Sequence, residues 1–136
     1  MTSSAGTHPA SGGMLHSAAV SRAAKTVLVF GVYLALLGGG LATEPDAMLA
    51  IFRQEPAHEP WLRLLGIVSL VLGAYYVGAA RSELKPFFRM TVYGRAAGCA
   101  GFAACVGAGW APSFVLLFAA LDGLGALWTF SAMRRP

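Results

Sequence analysis

Charge is scarce in this chain. Lys, Arg, Asp and Glu make up 12% of its 136 residues, against about 25% in ordinary soluble domains. The charges that are present leave long stretches empty, a placement that separates membrane spans from the apolar core of a soluble domain. Only two cysteines are available. Cys99 and Cys105 are six residues apart, about 240° around one helix, so they cannot bridge, and neither belongs to a C-x-x-C pair. They read as small packing residues, which argues against redox work. His8, His16 and His58 have no spacing that builds a metal site, and no metal or cofactor is expected. No nucleophile–base pair is visible, so the chain does not read as an enzyme. The net charge of +4 does not point to nucleic acid, because the basic residues flank apolar runs and form no patch.

What is present is apolar: 57% of the residues are hydrophobic and the mean hydropathy is +0.63. Residues 1–21, rich in Ser, Ala and Gly, read as a disordered tail. Residues 22–136 read as one all-α transmembrane domain with spans over about 26–42, 61–80, 87–110 and 113–132. Each is near the ~20 residues a helix needs to cross ~30 Å of hydrocarbon. A lone strand would leave its backbone unpaired in lipid. The expected architecture is therefore an antiparallel bundle of four helices. Pro60, Pro86 and Pro112 stand at first turns of spans two, three and four, where a missing N–H costs nothing. Trp61 and Trp110 fall at one interface, and Tyr93 and Trp128 near the other. Only Ala111-Pro112 or little more separates spans three and four, which predicts a tight hairpin.

Orientation follows from the loops. Segment 43–60 carries Glu44, Asp46, Glu55 and Glu59 against Arg53, whereas 81–95 carries Arg81, Lys85, Arg89 and Arg95 against Glu83. Arg22 and Lys25 precede span one, and Arg134 and Arg135 follow span four. Alternating spans put every basic cluster on one side, which makes both termini cytoplasmic in a bacterial inner membrane. Topogenic charge accounts for the basic residues of 81–95, and anionic head groups at the inner face are a further possible contact. A competing reading takes the first apolar run, ending in Gly40-Leu41-Ala42, as a signal peptide; the retained span is preferred, since the leading segment is long for one. On the other side, Thr43-Glu44-Pro45-Asp46 has helix-start chemistry, with the Thr43 hydroxyl as cap. A short interfacial helix with Met48, Leu49, Ile51 and Phe52 follows it.

Spans two and four match at an offset of fifty-two: Pro60, Leu64, Leu65, Leu72, Gly73, Ala74 and Ala80 against Pro112, Leu116, Leu117, Leu124, Gly125, Ala126 and Ala132. Such a repeat implies two related helical hairpins. In span three Gly94, Gly98, Gly101, Cys105 and Ala108 share one face, a seam for close packing against another span or a second copy. Asp122 lies near the middle of span four among apolar residues, and an intramembrane acid is a functional suspect. Ser69, Tyr33, Tyr75, Tyr76 and Arg95 are its candidate partners. Two roles stay open for it, a structural lock between helices and a site for a proton or ligand.

The stretches Glu59-Pro60-Trp61-Leu62-Arg63, Gly73-Ala74-Tyr75-Tyr76, Phe87-Phe88-Arg89-Met90-Thr91-Val92-Tyr93-Gly94-Arg95 and Asp122-Gly123-Leu124-Gly125-Ala126-Leu127-Trp128-Thr129 together resemble small bacterial four-helix membrane proteins similar to the DoxX and BphX-like families. The resemblance implies four spans and a retained first helix, and it carries over no catalytic residue. The leading expectation is a multi-pass membrane protein that packs with itself or a membrane partner. The alternative is a carrier or sensor of a proton or small apolar molecule, built around Asp122.

Overall fold

The computed structural model describes residues 20–57 and 60–135. The expected disordered tail falls outside these residues except for its last two, and His8, His16, His58 and Glu59 also lie outside them. Among the described residues the fold is all-helical, with α1 Arg22–Thr43, α2 Pro45–Ile51, α3 Trp61–Arg81, α4 Lys85–Gly107 and α5 Val115–Arg134. Helices α1, α3 and α5 are long and apolar enough to cross a membrane. Helix α4 is as long, at 23 residues, but it contains Lys85, Arg89 and Arg95 and is less apolar.

Local chemistry sets the helix ends. Ser21 caps α1, its Oγ accepting from the Ala24 N–H at 3.1 Å. Its own N–H and hydroxyl donate to the two Glu83 oxygens at 2.6 and 2.8 Å, so an acid 62 residues away sits at the positive end of the α1 dipole. Ser21 thus belongs to the folded domain. Glu83 (φ 49°) and Arg53 (φ 55°) are left-handed, each one residue beyond the cap of α3 or α2. The following N–H groups return to Ala79 O and Leu49 O at 3.0 Å, closing both helices in the Schellman manner. A side chain in that conformation costs about 1–2 kcal/mol. For Glu83 the bond pair to Ser21 offsets it.

Helices α1 and α3 run in opposite directions in close contact. A Cβ added at Gly31 would lie 3.1 Å from Gly73 O, and one at Gly73 would lie 2.7 Å from Gly31 O. Gly38 and Gly66 face each other likewise, at 2.6 and 2.7 Å. Backbones that approach this closely need glycine at the contact, and they gain dispersion and Cα–H···O contacts in return. Arg63 Nη1 closes the far end of the pair, donating to Ala42 O and Thr43 O at 2.8 and 2.9 Å. Helices α4 and α5 form the second pair, and α5 also packs on α1. The buried core lies toward the end that carries Arg22, Lys85 and Arg135. Val27, Phe30, Tyr76, Ala80 and Phe88 form its centre.

Three local expectations are corrected. The Thr43 hydroxyl does not cap α2; it donates back to Gly39 O at 2.9 Å, and Glu44 occupies the cap position without a side-chain bond. The α4–α5 connection is not two residues but 108–114, because α4 closes on left-handed Gly109 (φ 76°) and α5 begins only at Val115. Pro112 therefore lies in the turn, ahead of the helix.

Candidate functional site

Asp122 is the eighth residue of α5, about 10 Å from the α2 end of that helix and about 18 Å from the other at 1.5 Å per residue. It is nearer the α2 end than a start at Ser113 implied. Its Oδ2 rests on α4 where Gly98 has no side chain; a Cβ there would come within 3.1 Å of it. The carboxylate lines a cavity of about 310 Å³. Tyr33, Ser69 and Asp122 supply the polar positions, and Leu37, Leu65, Phe102 and Val115 are among the apolar ones.

Helix α2 covers this cavity. Its positions 48, 49 and 52 fall on one helical face, and Met48, Leu49 and Phe52 all line the cavity, while Asp46, Ala47 and Ala50 are exposed. Phe52 stacks on Phe114 with ring centroids 5.1 Å apart and tilts against Phe118 at 5.4 Å. The three phenylalanines tie the short helix to the start of α5. With an apolar wall and a few convergent polar groups, the cavity has the make-up of a small-molecule site.

Arg95 is placed differently. It is 4% exposed, ten residues into α4. Its guanidinium carbon lies 3.6 Å from the Phe30 ring centroid. Nη1 donates to Thr129 Oγ1 at 3.3 Å, and Thr26 Oγ1 donates to the same oxygen at 2.9 Å. Gly125 leaves the notch that Nη2 fills, for a Cβ at 125 would fall on the guanidinium. Among the described residues Nε has no hydrogen-bond partner. Burying a guanidinium costs several kcal/mol. The ring contact returns about 0.5–2 kcal/mol and the long Thr129 bond about 1 kcal/mol, so one edge of the cation stays uncompensated.

The expected partners of Asp122 therefore separate. Tyr33 and Ser69 share its cavity. Tyr76 is buried elsewhere, hydrogen-bonded to Thr91 and packed on Phe30 and Phe87. Tyr75 is 66% exposed on the outside of α3. Arg95 hydrogen-bonds to Thr129, in the layer of Phe30, and stays within electrostatic reach of Asp122. Of the small residues of α4, Gly98 meets Asp122, whereas a Cβ at Gly94 or Gly101 would meet nothing within 4 Å. Cys105 is partly buried and Ala108 exposed. Sequence reasoning missed the threonines Thr26, Thr91 and Thr129 and the Phe30 ring. It also missed the α1–α3 seam, although glycines seven apart at 31 and 38 and again at 66 and 73 carry that signal. Among the described residues no group of three His, Cys, Asp or Glu side chains could hold a metal ion.

No family model, curated protein or solved structure matches the chain, so the likeness to DoxX and BphX-like proteins rests on the quoted motifs alone.

Proposed function

We propose that the protein is a four-span antiparallel bundle of a bacterial inner membrane that holds a small apolar molecule bearing one hydrogen-bond donor or positive group. The molecule sits in the α2-covered cavity, and Asp122 recognises its polar end. One observation carries this reading: Asp122 lines the α2-covered cavity together with Tyr33 and Ser69. Helix α4 serves as the remaining span, its Lys85 and Arg89 at the cytoplasmic surface and Arg95 buried within. Positive residues at 22, 25, 81–95, 134 and 135 support an orientation with both ends in the cytoplasm, in which the cavity lies in the outer half. The DoxX-like kinship is part of the same proposal, and no enzymatic step is.

Thermal stability in detergent tests the site with 1-naphthylmethylamine and its neutral analogue 1-methylnaphthalene. The amine should raise Tm more than the arene, and Asp122→Asn should remove that difference. Leu49→Trp, which fills the cavity, should abolish the response to both. Equal responses to amine and arene, or responses indifferent to both substitutions, would sink the assignment. A second reading, self-association through α4, is favoured by the open face at Gly94 and Gly101.

A further inference from the structure

A second cavity, of about 420 Å³, opens between α1 and α5 with Val29, Leu121, Leu124 and Trp128 among its walls and Arg95 at its base. Val29 and Leu124 are largely exposed, so the groove faces the surrounding lipid. At Thr26 and Trp128 it runs into a hollow lined by Arg22, Lys25 and Arg135. Tyr33 is shared with the Asp122 cavity and stands between the two.

The unpaired Nε of the buried Arg95 specifies the occupant. Nη1 is engaged by Thr129. Nε is unpartnered among the described residues, and Nη2, on the same edge of the guanidinium, sits in the notch over Gly125, itself part of the groove. An Nε–Nη2 edge presents two parallel N–H donors that match the two oxygens of a carboxylate. We propose that the groove binds an ionised long-chain fatty acid, its carboxylate on the Nε–Nη2 edge of Arg95 and its chain along Val29, Leu121 and Leu124. The cations at the mouth draw the anion in. The Arg95 layer lies between Thr26 and Phe30 of α1, about 6–12 Å in from Arg22. A phospholipid phosphate stops at the mouth cations, whereas the carboxylate of a single chain reaches this depth. The inference goes beyond the proposed function, since only Tyr33 belongs to both sites.

Bromine quenching of Trp128 fluorescence tests it. The full chain carries Trp61→Phe and Trp110→Phe, leaving Trp128 as the sole emitter, and is reconstituted in phosphatidylcholine vesicles. The probes are dibromostearate at a pH that ionises it, its methyl ester and dibrominated phosphatidylglycerol. The acid should quench at about tenfold lower mole fraction than the ester, a factor equal to ~1.4 kcal/mol. Arg95→Gln should bring the two curves together. Val29→Phe narrows the groove from its exposed wall without touching Arg95, and it should weaken quenching by the acid even if Arg95→Gln fails to fold. Equal quenching by acid and ester overturns the proposal. So does a full preference surviving in Val29→Phe, or phosphatidylglycerol quenching better than the acid, which would move binding to the mouth cations. These readouts use no Asp122 variant, and the outer-cavity reading is tested by its own ligands and variants.

Discussion

Between α1 and α3 the contact glycines face mainly backbone, whereas between α4 and α5 each faces a side chain. Gly31, Gly38, Gly66 and Gly73 bring two helices together so closely that carbonyl oxygens meet the opposing Cα positions. Gly98, Gly123 and Gly125 seat Asp122, Cys99 and Arg95 respectively. The first pair uses the missing side chain to gain helix–helix contact, and the second uses it to house polar or polarisable groups between its helices. The same residue type thus builds a rigid frame in one half and sites in the other. Membrane helices gain little from hydrophobic burial against each other, so the closer α1–α3 packing stands as the main source of stability.

If α1 and α3 are the frame, the largest effect should come from widening them. Gly38→Leu and Gly66→Leu each place a side chain into facing backbone that cannot rotate away. Overpacking of this kind costs about 3 kcal/mol or more, and each variant should lose most of the monodisperse folded protein in detergent. A wild-type Tm in both would dissolve the distinction between the two pairs.

Gly125→Ala should cost less, about 1–3 kcal/mol, because a long side chain is displaced and not a backbone. The new methyl expels the guanidinium from its notch. Gly123→Ala, whose methyl would meet only Cys99 Sγ at 3.1 Å, should be milder again. Tm in the same detergent ranks the pair, and a reversed order would mean that Arg95 does not occupy the notch.

Asp122 sharpens the comparison from the site side. Asp122→Asn should leave stability within about 0.5 kcal/mol, as should Asp122→Leu, since an acid bordering a cavity leaves no partner unpaired when it is removed. A drop of about 2 kcal/mol or more for Leu with none for Asn would restore the structural lock. The Tm values of the two variants without ligand decide it.

The helices and their order were legible in the sequence because apolar runs of span length are a strong signal. The short helix α2 was legible too, from Pro45 and Asp46 and the apolar residues that follow them. Three things were not. The α4–α5 turn is seven residues long because a Schellman close at Gly109 consumes chain that looks helical by hydropathy. The partners of Arg95 were invisible because Thr26, Phe30 and Thr129 meet only when α1 packs on α5, a contact that no local spacing encodes. The small-residue face of α4 drew attention because five small residues recur on it. Yet recurrence says which face permits close approach and does not say that another helix occupies it.

The smallest expected effect falls on that open face of α4. Gly94 and Gly101 have no neighbour within 4 Å of an added Cβ, so within one chain Gly→Ala there removes only a helix-interior glycine. That change favours the helix by about 0.5–1 kcal/mol, and both variants should melt at or slightly above the wild-type temperature. Leu at the same positions should be equally harmless to a monomer, because it points away from the rest of the chain. The two substitutions diverge if copies associate through this face: Ala preserves a close helix contact and Leu separates it. Sedimentation in detergent, run beside the melts, reads the difference. A monomer in wild type and in both variants leaves the α4 face to lipid and confines close helix packing to α1 and α3. A wild-type dimer that survives Gly101→Ala and dissociates in Gly101→Leu would make α4 a second frame surface. Glycine in this helix would then serve backbone contact on one face and side-chain seating on the other.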